Sequence, residues 1–201
     1  MSFLIIYLFP ILIDYVSQNS EATYTILPES TLAIFGTSNI NEFKCECKKS
    51  WGSYPISFET NEDATCLYFE EVGLSIPVES LDCRHPQITK DLAKALKADH
   101  HPYIHFRVLE AIHKDQYEDL PIGQCISTII HVEIEIGGVV NLVNLEVDCY
   151  FLENNMYHFS AFQELNMCDF EIEPPTAMLG LIQVNPIILI DIDLRVRLHY
   201  S

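Results

Sequence analysis

The chain has 201 residues, enough for one domain with a sizeable core, and 49% hydrophobic with 11% aromatic residues argues for a folded globular protein. Its 29 acidic against 11 basic residues give a formal charge of −18, a surface that repels nucleic acid and anionic headgroups. Only 7 glycines leave little for a Gly-rich phosphate cradle, and 7 cysteines, an odd number, leave at least one thiol unpaired or paired between chains.

Residues 1–20 read as a signal peptide. Phe3 to Ile13 is an apolar run broken by Pro10, shorter than the roughly 20 residues a membrane span needs, and polarity rises through Ser17-Gln18-Asn19-Ser20. Cleavage is expected between Ser17 and Ala22. The n-region lacks Lys and Arg, so a buried N-terminal strand or helix stays open as the other reading. Thr25 to Cys47 reads as a long strand bent at Gly36, with Leu32 and Ile34 on its apolar side. Trp51 to Asp63 reads as a polar connection, and Ala64 to Glu70 as a short strand.

Gly73 to Leu109 reads as strand, helix, strand. Leu74, Ile76 and Val78 alternate with polar neighbours, and Pro77 marks an edge or bulge. Ile88, Leu92, Ala95 and Leu96 make one apolar helical face, which places a short helix at about 88–98. Pro102 stops it, and Ile104, Phe106 and Val108 begin a second strand. A charged turn is expected over 114–123.

The plainest strand is Cys125 to Ile136. Ile126, Thr128, Ile130, Val132, Ile134 and Ile136 share one face; Cys125, Ser127, Ile129, His131, Glu133 and Glu135 share the other. Gly137-Gly138 makes a hairpin turn. Val143, Leu145, Val147, Cys149 and Phe151 then line an inward face, Asn154-Asn155 turns the chain, and Met156 to Met167 follows with Tyr157 and Phe159 on one side. The last strand points Ile188, Ile190, Ile192, Leu194, Val196 and Leu198 inward. Eight or so strands joined by short turns point to a mostly β fold, an eight-stranded antiparallel barrel, because closure removes two exposed edges.

Three motifs carry a family resemblance, in order along the chain. The first is Ser30-x-Leu32 with Gly36-Thr37-Ser38-Asn39. The second is Ser75-Ile76-Pro77-Val78 through Leu96-Lys97-Ala98 to Pro102-Tyr103-Ile104-His105-Phe106. The third is Asp169-Phe170 with the loop Pro174-Pro175-Thr176-Ala177-Met178-Leu179-Gly180. Together they resemble the YceI-like family of lipocalin-like barrels that bind polyisoprenoid lipids, over residues 25 to 198. The chain departs from the family pattern at Gly138-Val139-Val140-Asn141, where Gly-Val-Thr-Lys is usual, and in the order of Pro102 and Tyr103. The resemblance implies a YceI-like β-barrel domain over 21–201 and a non-enzymatic role. It also implies an apolar lipid partner, a polyisoprenoid or isoprenoid quinone, held in the lumen of a periplasmic or secreted protein. It further implies a disulfide between Cys45 and Cys83, with Cys47 as the rival partner. No cofactor and no nucleic acid are implied, and a homodimer stays open.

From the alternation, Phe106, Ile130, Val132, Ile134, Leu145, Val147, Phe159, Ile190, Ile192 and Leu194 are the expected lumen residues. Whether that lumen is hollow or packed is not decided by alternation. No Gly-x-Ser-x-Gly, His-Glu-x-x-His or Gly-x-Gly-x-x-Gly occurs. His131 with Glu133, or His100-His101, are the nearest approaches to a metal site, and solvated histidines explain both better. Asp191 and Asp193 are expected to pair with Arg195 or a lysine. Two other readings remain: an enzyme acting on a hydrophobic substrate with His131 or His158 as base, and a packed structural barrel.

Overall fold

The computed structural model describes residues 22–60, 66–70, 72–112 and 122–200. The proposed signal segment and most of the 114–123 turn lie outside them. Three interrupted passes open the chain. β1 (Ala22–Ile26) and β2 (Thr31–Thr37) make the first. β3 (Glu42–Cys47), β4 (Ser53–Ile56) and β5 (Phe58–Thr60) make the second, and β6 (Cys66–Phe69), β7 (Gly73–Pro77) and β8 (Leu81–Asp82) the third. Helix α1 (Pro86–Ala95) follows. The long strands are β9 (Tyr103–Ile112), β10 (Cys125–Ile136), β11 (Val139–Leu152) and β12 (Met156–Asn166). A small pair, β13 (Thr176–Ala177) and β14 (Ile182–Gln183), precedes the last strand, β15 (Ile187–Tyr200).

All pairings are antiparallel. β9 pairs β10, β10 pairs β11, β11 pairs β12 and β12 pairs β15. β15 pairs both β1 and β2; these lead through β4 and β3 to the second pass, whose β5 and β3 pair β6 and β8. β6 and β7 both pair β9, so the path returns to its start. The barrel therefore has eight passes, but they are assembled from a 13-stranded sheet rather than eight unbroken strands.

Each interruption has a local cause. Between β1 and β2 the ladder to β15 slips: Ile26 lies opposite Val196, yet Thr31 lies opposite Asp193. The buried Ser30 hydroxyl fills the gap, donating to the Arg195 carbonyl at 3.3 Å and accepting from the Arg195 N–H at 2.9 Å. Pro77 ends β7, and Val78 turns into a 3-10 helix where a strand residue was expected. The stretch 51–63 is not merely a connection. It contains β4 and β5, too short to show alternation, and Pro55 is tolerated because β4 pairs β1 alone.

The stretch 25–47 is not one long strand: β2 pairs β3 in unbroken register through Gly36 to Thr37, and the chain reverses at Ser38–Asn41, where Ser38 N–H donates to the Asn41 carbonyl at 2.7 Å. The role of Gly36 is space: a Cβ there would lie 2.3 Å from the Phe43 ring. The helix begins two residues earlier than expected because Pro86 takes the first helical position, where its missing N–H costs nothing. It stops at Ala95 because Lys97 adopts φ 55°. The N–H groups of Lys97 and Ala98 then return to the carbonyls of Lys94 and Ala93, a Schellman cap on a lysine. A disulfide joins Cys45 on β3 to Cys83 after β8, and Cys47 stays free.

Candidate functional site in the barrel lumen

Every strand face is set by period 2, and one irregularity keeps the inside apolar. In β9, Glu110 lies opposite His131 while Val108 lies opposite Val132, so Leu109 is bulged. Without that bulge the parity set by Phe106 and Val108 would carry Glu110 inward. With it, Glu110 stays outside and Ala111 is buried. The one polar side chain on the inner face of β10, Thr128, is 6% exposed and donates to the Ile112 carbonyl at 2.7 Å.

Two cavities lie inside the barrel. The larger, about 410 Å³, sits under α1 between Ile34, Phe43, Ile76, Ile104, Met167, Phe170 and Ile190. The smaller, about 210 Å³, continues along the barrel between Tyr24, Leu74, Ile130, Val147, Phe159 and Leu194, and no charged side chain lines it. Leu32 and Phe106 border both, so the two chambers meet at these residues. Along β15 the lining runs from Ile188 in one chamber to Leu198 in the other. At about 3.3 Å per residue and a tilt of 35–45°, that is roughly 25 Å along the axis. The shape suits an extended chain. The larger volume falls within the roughly 300–1,000 Å³ usual for small-molecule pockets, which counts against a packed barrel.

Nine of the ten expected lumen residues line a cavity. Phe106, Ile130, Val132, Leu145, Val147, Phe159, Ile192 and Leu194 border the smaller, and Ile190 with Phe106 the larger. Ile134 differs: it is 1% exposed and packs in the core cluster with Ile136 and Ile104, so it builds wall rather than lining. Much of the larger chamber went unread from sequence. Ile88, Leu92 and Leu96 of the helical stretch close it, together with Met167, Phe170, Ile172, Ile182 and Val184 from the loop after β12. The apolar face of the helix was visible; the loop residues show no period to read.

Apart from Ser160 and the Tyr24 hydroxyl on the smaller chamber, polar groups gather at the mouth of the larger one. Ser38, Asn41, His85, Gln87, Asp91 and Thr176 stand there, with Gln87 donating to Asp91 at 2.8 Å. No lysine or arginine lines it. This rim could hold an uncharged polar headgroup by hydrogen bonds.

The histidines weighed as catalytic bases face outward. His131 contacts Glu110 at 2.6 Å, and His158 contacts Asp193 at 2.8 Å while stacking on Tyr150. Neither lines a cavity. Asp193 thus pairs with a histidine and not with Arg195 or a lysine. Burial raises the Asp191 carboxyl above its ordinary value, and Lys44 opposes that. Among the described residues no group of three His, Cys, Asp or Glu is placed to hold a metal. Elsewhere on the outer surface, Lys48, Lys44 and Arg84 converge on Glu46 and hold its carboxyl down to about 2.

Fold and lumen together define a hollow, closed antiparallel barrel with an apolar interior and one polar mouth. The YceI-like domain model matches residues 24–199, and the chain belongs to that family. Solved structures agree on the fold. A polyisoprenoid binding domain from Saccharophagus degradans, implicated in plant cell wall breakdown, superimposes with TM-score 0.63 at 11% identity, covering 87% of this chain and 97% of that one. BcnA of Burkholderia cenocepacia gives 0.61 at 12% identity, over 83% and 96%. No curated protein matches the sequence.

Proposed function

We propose that this protein binds and carries an extended apolar lipid of the polyisoprenoid class, a prenol or an isoprenoid quinone, without chemical change. The observation that carries the reading is the pair of adjoining apolar chambers, the smaller without a charged side chain and the larger with its polar side chains gathered at one mouth. Transfer of the ligand from water to such walls supplies about 0.8 kcal/mol per buried CH₂. The similarity to a polyisoprenoid binding domain supports the same class. The residues proposed to contact the chain are Phe106, Ile130, Val132, Leu145, Val147, Phe159, Ile190, Ile192 and Leu194, with Ile134 behind them. A catalytic role for His131 or His158 gains no support, since both lie on the outer surface.

The setting we propose is periplasmic or secreted, with residues 1–20 removed as a signal peptide. The Cys45–Cys83 disulfide supports an oxidising compartment. No helix among the described residues is long and apolar enough to cross a membrane. The reading is tested by Ile130→Glu. A carboxylate at that half-buried lining position should abolish binding of a fluorescent prenol while circular dichroism stays that of the wild type. A folded variant that binds the prenol as the wild type does would contradict it. Loss of fold would return the packed barrel, because a lone buried charge costs several kcal/mol.

A further inference from the structure

A lipid carrier has to receive its cargo from a lipid phase, and the mouth of the larger chamber has unusual surroundings. Beside His85, Gln87 and Asp91, two loops form its rim: the 38–41 turn and the segment 176–185. They are tied together. Asn39 Nδ2 donates to the Leu181 carbonyl at 2.8 Å, and the Gln183 N–H donates to Asn39 Oδ1 at 3.0 Å. From these tied loops three large apolar side chains point to solvent: Ile40 at 65% exposure, Leu181 at 72% and Leu179 at 106%. Ile40 also lines the chamber, so the exposed patch and the apolar interior are continuous. Leu179 and Gly180 both have positive φ, 58° and 88°, a sharp turn that holds a leucine at the tip.

Charge chooses among the occupants of this patch. The chain carries −18 overall, yet no charged residue occurs from Pro174 to Ile190 or from Gly36 to Asn41. A protein partner recognised by charge has nothing to read there, and an anionic surface is repelled by the molecule as a whole. An electrically neutral lipid surface accepts apolar loop tips and imposes no charge requirement.

We propose that Ile40, Leu179 and Leu181 dock the barrel mouth onto a zwitterionic lipid surface, so that an apolar chain passes between bilayer and lumen without crossing water. The inference rests on the carrier reading and adds where loading occurs. The test is flotation of the full chain with phosphatidylcholine vesicles, comparing the wild type with Leu179→Ser/Leu181→Ser. Neither residue lines a chamber, and both proteins share the same N-terminal segment, so the difference isolates the tips. Removing two exposed leucines should weaken partitioning by about tenfold or more. Added phosphatidylglycerol should weaken binding at low salt and lose that effect at high salt.

Equal partitioning of the two proteins would overturn the proposal, as would stronger binding to phosphatidylglycerol vesicles. A concentration-dependent dimer, lost in the variant and unaccompanied by vesicle binding, would assign the patch to a second copy instead. Titration of both proteins with a fluorescent prenol in solution keeps the two ideas apart. If neither binds, the carrier reading fails whatever the vesicles show; if both bind equally and both float equally, only the docking fails.

Discussion

At the scale of single residues, environment sets chemistry that residue type alone does not. Cys149 sits opposite Ile126 and Phe159, and burial, with a smaller push from Cys125, raises its thiol to about 12. The thiolate is the reactive form, so at pH 8 Cys149 should resist iodoacetamide in the folded protein while the exposed Cys125 and Cys168 are alkylated. Peptide mapping that finds Cys149 modified as fast as Cys125 would contradict this packing. Glu46 is the opposite case. Its carboxyl, ordinarily near 4.5, is held down to about 2 by Lys48, Lys44 and Arg84. A depressed folded value gives stability that is present in full above the unfolded value and fades as pH falls toward 2. Glu46→Gln should therefore lower stability at neutral pH, where the wild-type contribution is fully present, and flatten the acid limb of the stability curve between about pH 5 and 2, where the two proteins converge, as read by urea titration at each pH. Gly138 shows a third kind of constraint. Its φ is 84°, and a Cβ would lie 2.4 Å from the His101 ring. Gly138→Ala should cost about 1–3 kcal/mol, since it adds positive-φ strain to a displaced ring.

At the scale of elements, alternation made the long strands readable and left the short ones hidden. β10 declared itself because twelve residues keep one parity, and its expected inner face is the observed one. The end of β9 did not, because the bulge at Leu109 changes parity midway, and a single sequence does not mark where an extra residue is absorbed. β4 and β5, of 4 and 3 residues, offer too few positions for a period, and their Pro55 read as a loop signal. The helix was visible from its apolar face, but its ends depended on Pro86 and on a left-handed Lys97, where glycine is the usual sign. The disulfide links two such short pieces. It closes a loop with a sequence separation of 38, tying β3 to the approach of α1, the element that covers the larger chamber. Cys45→Ala/Cys83→Ala should lose roughly 3–5 kcal/mol of unfolding free energy by the chain-entropy model. A loss under about 1 kcal/mol in urea titration would mean that the bridge does little to hold the second and third passes together.

At the scale of the whole molecule, the lumen was legible only in part. Strand faces could name inward residues, and nine of the ten named ones border a cavity. Whether the inside is hollow was not legible, because the same isoleucines and valines fill a core or line a void, and the outcome depends on barrel radius and on the short segments that close the ring. Filling the void gives a direct lever. Ala161 is buried on the wall of the smaller chamber, opposite Ile192. Ala161→Phe places a ring in existing space, so stability should change by less than about 2 kcal/mol while long-chain prenols lose access and short ones still enter the larger chamber. The central claim, that the lumen holds an extended apolar lipid, is tested most directly by mass spectrometry of the protein taken from its own host, first intact under native conditions and then after organic extraction. One bound apolar molecule per chain is expected, identified in the extract as a polyisoprenoid; a population with nothing bound and no affinity for added prenol would contradict the carrier role.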